Sequence, residues 1–256
     1  MAVSASGDAW TIERVEERAT ELVRRGRGGR TPKVLAANLD RVYTVVALRE
    51  PAATEQLIDR MLVLVEASGM HPILILNKLD LDGAAEAAAT FTPLYEKVGY
   101  DVLPTSAVRG DGIEELRGEV CDGSSAFIGP SGAGKSSLLN ALDPELELRT
   151  GELSRKTGTG RHTTVGSRLI PLECGGLVAD TPGFGDVGLW AVEPDAVASC
   201  FPEIDRLADQ CRFRSCTHLH EPECAVQDAM DAGDIFRSRY ESYRALRAEA
   251  DEVAEY

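Results

Sequence analysis

The stretch Gly129-Pro130-Ser131-Gly132-Ala133-Gly134-Lys135-Ser136-Ser137 limits what this chain can fold into more than any other. It has the G-x-x-x-x-G-K-[ST] spacing of a phosphate-binding loop. Ser125-Ala126-Phe127-Ile128 before it reads as a short buried strand, and Leu138-Leu139-Asn140-Ala141-Leu142 after it continues as a helix. Strand, glycine loop and helix together are the context the motif requires. The glycines let successive backbone N–H groups turn inward around phosphates, and the helix start adds the positive end of its dipole. Lys135 is placed to reach the terminal phosphates, and the Ser136 hydroxyl to hold Mg²⁺. A glycine-rich turn with a chance lysine is the bland alternative, and the flanks argue against it.

The pattern around the loop is an α/β alternation. Arg41–Leu48 is strongly β-prone, and Pro51 and Thr54 open a helix in which Leu57, Met61, Leu64 and Val65 share a face. Pro72-Ile73-Leu74-Ile75-Leu76 is a continuous apolar run of the kind buried on both sides of a parallel sheet. A helix over Ala84–Val98, a strand at Asp101-Val102-Leu103 and a helix over Ile113–Val120 follow. Arg168–Leu172, a Gly175-Gly176 turn and Leu177-Val178-Ala179 read as a hairpin after the long, apolar-poor stretch Asp143–Gly166. The expected fold is α/β and doubly wound. Helices over Ala196–Ala208 and from about Asp234 to the end follow it; Phe236, Tyr240, Tyr243 and Leu246 form a packing stripe on the latter.

Composition sets the outer bounds. Apolar residues make up 43% of 256, which permits a real core, and no apolar run approaches a membrane span. Met1-Ala2-Val3-Ser4 begins no signal peptide, so a cytoplasmic protein is expected. A net charge of −15 argues against coating nucleic acid by charge alone. The patch Arg24, Arg25, Arg27, Arg30 and Lys33 reads equally as a solvated turn or a local nucleic-acid contact.

Three weaker motifs select the nucleotide. Asn77-Lys78-Leu79-Asp80 stands at a strand's carboxyl end, where α/β sheets bind ligands. An ionised Asp80 offers two acceptors to the ring N–H and exocyclic amine of guanine, a donor pair that adenine lacks; such a mismatch discriminates by about a hundredfold or more. Ser106-Ala107, also past a strand, matches a backbone contact to the guanine carbonyl. Asp180-Thr181-Pro182-Gly183 is a D-x-x-G pattern in which Asp180 reaches Mg²⁺ through water and the Gly183 N–H faces the γ-phosphate. Gly160-Arg161-His162-Thr163-Thr164 supplies a second hydroxyl for Mg²⁺, from Thr164 or alternatively Thr163. Together with the phosphate loop these motifs point to GTP. Their order is rearranged: N-K-x-D and Ser106-Ala107 precede the phosphate loop, so the domain is circularly permuted, an arrangement packing tolerates.

With the cysteine pattern Cys211-x4-Cys216-x-His218-x5-Cys224, these features resemble the RsgA (YjeQ) ribosome small-subunit-dependent GTPases, from about Glu21 to the C-terminus. The resemblance implies a GTPase of late small-subunit maturation whose hydrolysis the subunit stimulates. Its implied partners are GTP/GDP and the subunit with its rRNA, and it is expected to be a monomer with no membrane contact. Phe184 stands where many GTPases carry the glutamine that orients attacking water, so intrinsic hydrolysis should be slow; His162 is a candidate substitute. A GTP-responsive RNA-binding adaptor with negligible turnover is the alternative.

Three thiolates and one imidazole make a closed, hence structural, tetrahedral Zn²⁺ set, expected to hold one ion. The family pattern selects His218 over His220. Arg212 and Arg214 within this knuckle face either rRNA or water. Cys121, Cys174 and Cys200 are scattered and read as ordinary buried small residues. Family members carry an N-terminal OB-fold barrel, of which at most a closing strand at about Trp10–Arg25 is expected here. The expected division is residues 1–30 as its remnant, 31–187 as the permuted GTPase domain and 188–256 as a helical zinc-binding domain.

Overall fold

A computed structural model of the chain describes residues 2–6, 9–15, 17–25, 32–148, 168–180 and 192–254. At its centre β5 (Arg41–Ala47), β6 (Pro72–Asn77), β7 (Val102–Pro104), β8 (Ser124–Ile128), β9 (Arg168–Pro171) and β10 (Leu177–Asp180) form one sheet. Their order is β7-β6-β5-β8-β10-β9, parallel throughout except for β9, which pairs antiparallel with β10. The strand that leads into the phosphate loop, β8, therefore lies between β5, which precedes it in the chain, and β10, which follows. A parallel sheet records strand direction and adjacency, not where the chain was cut, so the permuted order assembles without an altered core.

Alternating side chains divide the helices between two faces. Tyr43, Val45, Ile75, Phe127 and Val178 point toward α3 (Ile113–Val120) and α4 (Lys135–Leu142), where Leu116, Val120, Leu138, Leu139 and Leu142 meet them. On the opposite face Val46, Leu74 and Leu76 pack under α1 (Glu55–Glu66) and α2 (Ala84–Val98). Thr54 caps α1, its Oγ1 accepting the Leu57 N–H at 3.2 Å. In α1 the buried residues are Ile58, Asp59, Met61, Leu62, Val63 and Val65, more than a single stripe, whereas Leu57 and Leu64 are only partly buried. The reason is tertiary: Val63 joins the core of the C-terminal region, so α1 is covered on two sides.

Before β5 the chain holds more strand than the sequence reading allows. β1 (Ala2–Ser6) pairs with β2 (Ala9–Arg14), and β3 (Glu21–Arg25) pairs with β4 (Pro32–Ala37), both antiparallel. The charged residues around Leu22 and Leu35 mask their alternation. Those two leucines are buried against Leu39, Val42, Met61 and Val65, so the second hairpin borrows the core of the sheet.

The C-terminal region is helical, with one departure from expectation. The continuous helix anticipated over Ala196–Ala208 is two single 3-10 turns, Pro194–Ala196 and Ala198–Cys200, followed by α5 (Pro202–Ala208). Pro202 has no N–H to donate backward and is suited to the first turn, so it restarts the helix. α6 (Ala225–Ala232) and α7 (Arg237–Ala254) complete the fold, and Tyr240, Tyr243 and Leu246 of α7 are buried as a packing stripe. No helix among the described residues is long and apolar enough to cross a membrane.

The scattered cysteines also depart from expectation. Cys200 is buried and free, but Cys121 and Cys174 are joined in a disulfide, with Cα atoms 5.4 Å apart. Cys121 is half-buried and Cys174 exposed. A sequence separation of 53 residues hides a pairing that the sheet brings about by setting the β9–β10 turn beside the end of α3.

Candidate nucleotide and metal sites

β5, β6 and β8 run parallel, so their carboxyl ends open on one edge, and the phosphate-loop and N-K-x-D residues meet there. After β8 the chain makes its tight approach to β5. Gly129 has φ +149° and a Cβ placed on it would stand 2.0 Å from the Val45 carbonyl oxygen, so no other residue fits. Gly134, at φ +94°, starts α4, and a Cβ there would lie 2.2 Å from Asn77 Nδ2. That close approach has a use: Asn77 Nδ2 donates to the Ala133 carbonyl at 2.9 Å, while its Oδ1 accepts from Thr105 Oγ1 at 3.2 Å. Asn77, buried, thus bolts the phosphate loop to the ends of β6 and β7.

Lys78 turns the chain at the end of β6 with φ +66°, and its Nζ donates to the Glu50 carbonyl. Leu79 donates its N–H to the Thr105 carbonyl at 3.0 Å. Ser106 Oγ donates to Asp80 Oδ1 at 2.6 Å and accepts the Arg109 N–H at 3.0 Å, which fixes the carboxylate's orientation. A cleft of about 250 Å³ is lined by Asn77, Lys78, Asp80, Ala107, Gly134 and Ser137, with Glu50, Leu81 and Val108 beside them. The sequence reading missed the last three. Val108 directly follows Ser106-Ala107, a signal that was available; Glu50 and Leu81 belong to no motif.

Lys135 Nζ donates to the Gly129 carbonyl at 2.7 Å and the Pro130 carbonyl at 3.0 Å, and burial pushes its ammonium down to about 8. Its charge is held in a low-dielectric place and, among the described residues, is met by neutral carbonyl oxygens, which suits it to an incoming anion. Ser136 in the first turn of α4 is buried, whereas Ser131 and Gly132 at the loop's tip are exposed. Asp180 ends β10 next to β8; its side chain, and His162, Thr163, Thr164, Gly183 and Phe184, lie outside the described residues.

The second site is in the C-terminal region. The ligand atoms of Cys211, Cys216, His218 and Cys224 all lie within 4.8 Å of one another. His218 Nδ1 is 3.5 Å from both Cys211 Sγ and Cys224 Sγ, and those sulfurs are 3.9 Å apart. Zn–S and Zn–N bonds of ordinary length give tetrahedral edges of about 3.8 Å for S···S and about 3.6 Å for S···N, so the donor set fits a four-coordinate metal. His218, at φ +58°, is buried, and burial lowers its pKa, which keeps the ring neutral as a ligand must be. His220 is no part of the cluster.

Backbone supports hold the knuckle. Tyr240 and Tyr243 of α7 donate their hydroxyls to the carbonyls of His218, at 2.6 Å, and Thr217, at 2.5 Å. Glu221 accepts the Thr217, Leu219 and His220 N–H groups and the Thr217 hydroxyl. Burial opposes its ionisation, but these hydrogen bonds outweigh it and hold the carboxyl well below its usual range. Arg212, Phe213 and Arg214 are exposed, and Arg212 pairs with Glu223.

A family model described as RsgA GTPase matches residues 15–190. The chain is 48% identical over 243 residues to the small ribosomal subunit biogenesis GTPase RsgA of Gemmatimonas aurantiaca, covering 94% of this chain and 79% of that one. Among solved structures it resembles YjeQ from Thermotoga maritima, with 33% identity and a TM-score of 0.78 over 94% of this chain and 79% of that one. It also resembles YloQ, a circularly permuted GTPase, with 32% identity and a TM-score of 0.76 over 98% of this chain and 78% of that one.

Proposed function

The chain belongs to the RsgA GTPase family, and on that premise we propose that it binds and hydrolyses GTP during late maturation of the small ribosomal subunit, which stimulates the hydrolysis. The observation that carries the reading is the single cleft in which Asp80, oriented by Ser106, stands beside the start of the phosphate-loop helix. Asp80 accepts the two donors of guanine, and Asn77 keeps base and phosphate sites at a constant separation.

Lys135 leaves the loop carbonyls for the terminal phosphates, and the N–H groups of residues 132–137 supply the remaining donors. Ser136 and Thr164 (or Thr163) would hold Mg²⁺ bound with GTP, with Asp180 acting through water, and the ion would supply neutralisation of charge developing on the phosphate oxygens. Gly183 turns its N–H to the γ-phosphate. Phe184 cannot orient a water, so unstimulated turnover is slow, and His162 is the residue this chain offers for that task. The ion in the Cys211, Cys216, His218 and Cys224 set is Zn²⁺, held structurally. The work is divided among residues 1–30 as an N-terminal segment, 31–187 as the nucleotide domain and 188–256 as the zinc domain, in a cytoplasmic monomer.

The test is GTP hydrolysis by this protein with and without purified small subunits, alongside subunit binding in GTP, a non-hydrolysable analogue and GDP. Stimulated turnover is expected. Bound GTP without stimulation refutes the ribosomal part and leaves the nucleotide part standing. Subunit binding that follows nucleotide state while turnover stays negligible identifies an adaptor instead.

A further inference from the structure

The turn of the β9–β10 hairpin is docked on the junction between α3 and β8 by contacts independent of its cysteine. Asp143, buried at the end of α4, accepts the Glu173 N–H at 2.8 Å through one carboxylate oxygen and the Glu145 N–H at 3.0 Å through the other. Leu177 donates its N–H to the Gly123 carbonyl at 2.9 Å. Gly176 lies so close to that junction that a Cβ would stand 2.1 Å from the Val120 oxygen and 3.0 Å from the Cys121 Cα. These contacts bring Cys121 and Cys174 together whether or not a bond joins them, within the Cα separation a disulfide needs.

We propose that Cys121 and Cys174 are a reversible thiol–disulfide modification site, oxidised by low-molecular-weight disulfides such as glutathione disulfide, that fastens the β9–β10 hairpin to the α3–β8 junction. Access orders the steps. Cys174 is exposed and Cys121 half-buried, so the Cys174 thiolate attacks the reagent disulfide first, forming a mixed disulfide and expelling one thiolate. The Cys121 thiolate then attacks the Cys174 sulfur and displaces the second. Two protein thiols give up two electrons to one reagent disulfide, which leaves as two thiols carrying the two protons. The remaining thiols are set apart: Cys200 is buried, and Cys211, Cys216 and Cys224 form the metal cluster.

The consequence falls on the hairpin. β10 leads directly to Asp180, and β9 follows residues 149–167, so both strands border the segments assigned above to Mg²⁺ and γ-phosphate. A covalent link at the turn leaves the docked geometry unchanged and limits departures from it. The wider consequence for hydrolysis rests on the nucleotide reading; the modification itself does not.

The experiment treats the zinc-loaded protein with glutathione buffers of increasing oxidised fraction, quenches with acid, alkylates and maps the peptides. Amide hydrogen exchange is followed over residues 168–180 in parallel. The expected result is loss of two of the six alkylatable thiols, one peptide pair joining Cys121 to Cys174, and severalfold slower exchange in the hairpin, all reversed by dithiothreitol. In Cys121→Ser the expected product is a stable glutathione adduct on Cys174, since the resolving thiol is gone. Separate adducts on both cysteines, pairing of either with Cys200 or a metal-site cysteine, or hairpin exchange that oxidation does not change would overturn the proposal. None of these outcomes depends on GTP, so its failure is distinct from failure of the ribosomal reading.

Discussion

Replacing Arg239 with Met should loosen the C-terminal helices from the nucleotide domain more than any surface change. Arg239 on α7 is fully buried with Asp59 of α1 and Glu203 of α5. Its guanidinium donates to Asp59 Oδ1 at 2.6 Å and to Glu203 Oε1 and Oε2 at 2.7 and 3.2 Å. The group lies over Phe201, 4.5 Å from the ring centroid, and Tyr95 donates its hydroxyl to the same Asp59 oxygen at 2.7 Å. Burial opposes the charge on Arg239, but the two carboxylates outweigh it and keep the guanidinium ionised.

Methionine keeps most of the stem's volume, so the loss is mainly electrostatic: two carboxylates remain buried without a counter-ion. Breaking a buried pair in this way costs about 3–5 kcal/mol. A cost of about 3 kcal/mol is more than a hundredfold in the folding equilibrium. Burial already pushes Asp59 upward against the pull of Arg239, and the variant removes the pull. The folded variant then holds protons at pH values where its unfolded chain has lost them, so its deficit shrinks as pH falls from 7 toward 5. Urea unfolding of the zinc-loaded proteins at both pH values measures this, and Arg239→Met with Asp59→Asn and Glu203→Gln should recover much of the loss. A deficit under about 1 kcal/mol at pH 7, or one that grows on acidification, refutes the reasoning.

Three further outcomes are expected. Removing the metal with a chelator, or substituting Cys224→Ser, should abolish amide protection over residues 211–224 while GTP binding persists, because the nucleotide cleft shares no residue with the cluster; hydrogen exchange and a nucleotide titration read the two separately. Lys135, lowered to about 8 by burial, should return toward its ordinary value on meeting phosphate, so GTP binding at about pH 8.5 takes up a proton. Its calorimetric heat then varies with the buffer's ionisation enthalpy, and no such variation would refute the assignment. Before GTP is added, the folded lysine deprotonates earlier than the unfolded one, so its contribution makes stability rise with pH from about 8 toward 10.5.

Much of this protein is legible along the chain because the chemistry is local. Gly129–Ser137 form a strand-to-helix turn whose spacing alone sets backbone donors around an anion. Asn77-Lys78-Leu79-Asp80 is likewise a short run whose donor types point to its ligand, and the Cys211, Cys216, His218 and Cys224 set, in which the family resemblance chose His218 over His220, brings its ligand atoms within 4.8 Å of one another. The parallel core was readable from the β-prone run Arg41–Leu48 and the continuous apolar run Pro72–Leu76, because burial on both faces leaves little polar alternation. The order of these motifs was enough to show permutation.

Other features exist only once distant segments meet. Arg239 is 180 residues from Asp59, and nothing near either announces a buried charge that requires a partner. Cys121 and Cys174 look like scattered small residues until Gly176 and Asp143 seat the hairpin turn between them. Glu50 enters the cleft because Lys78 reaches its carbonyl, and α1 is buried on two sides because a second helical layer lies over it. Spacing along the chain specifies which groups can act together within one turn or loop. Which buried charges are paired, which cysteines touch and which helix faces are covered depend on contacts whose partners only the assembled sheet and helices bring within reach.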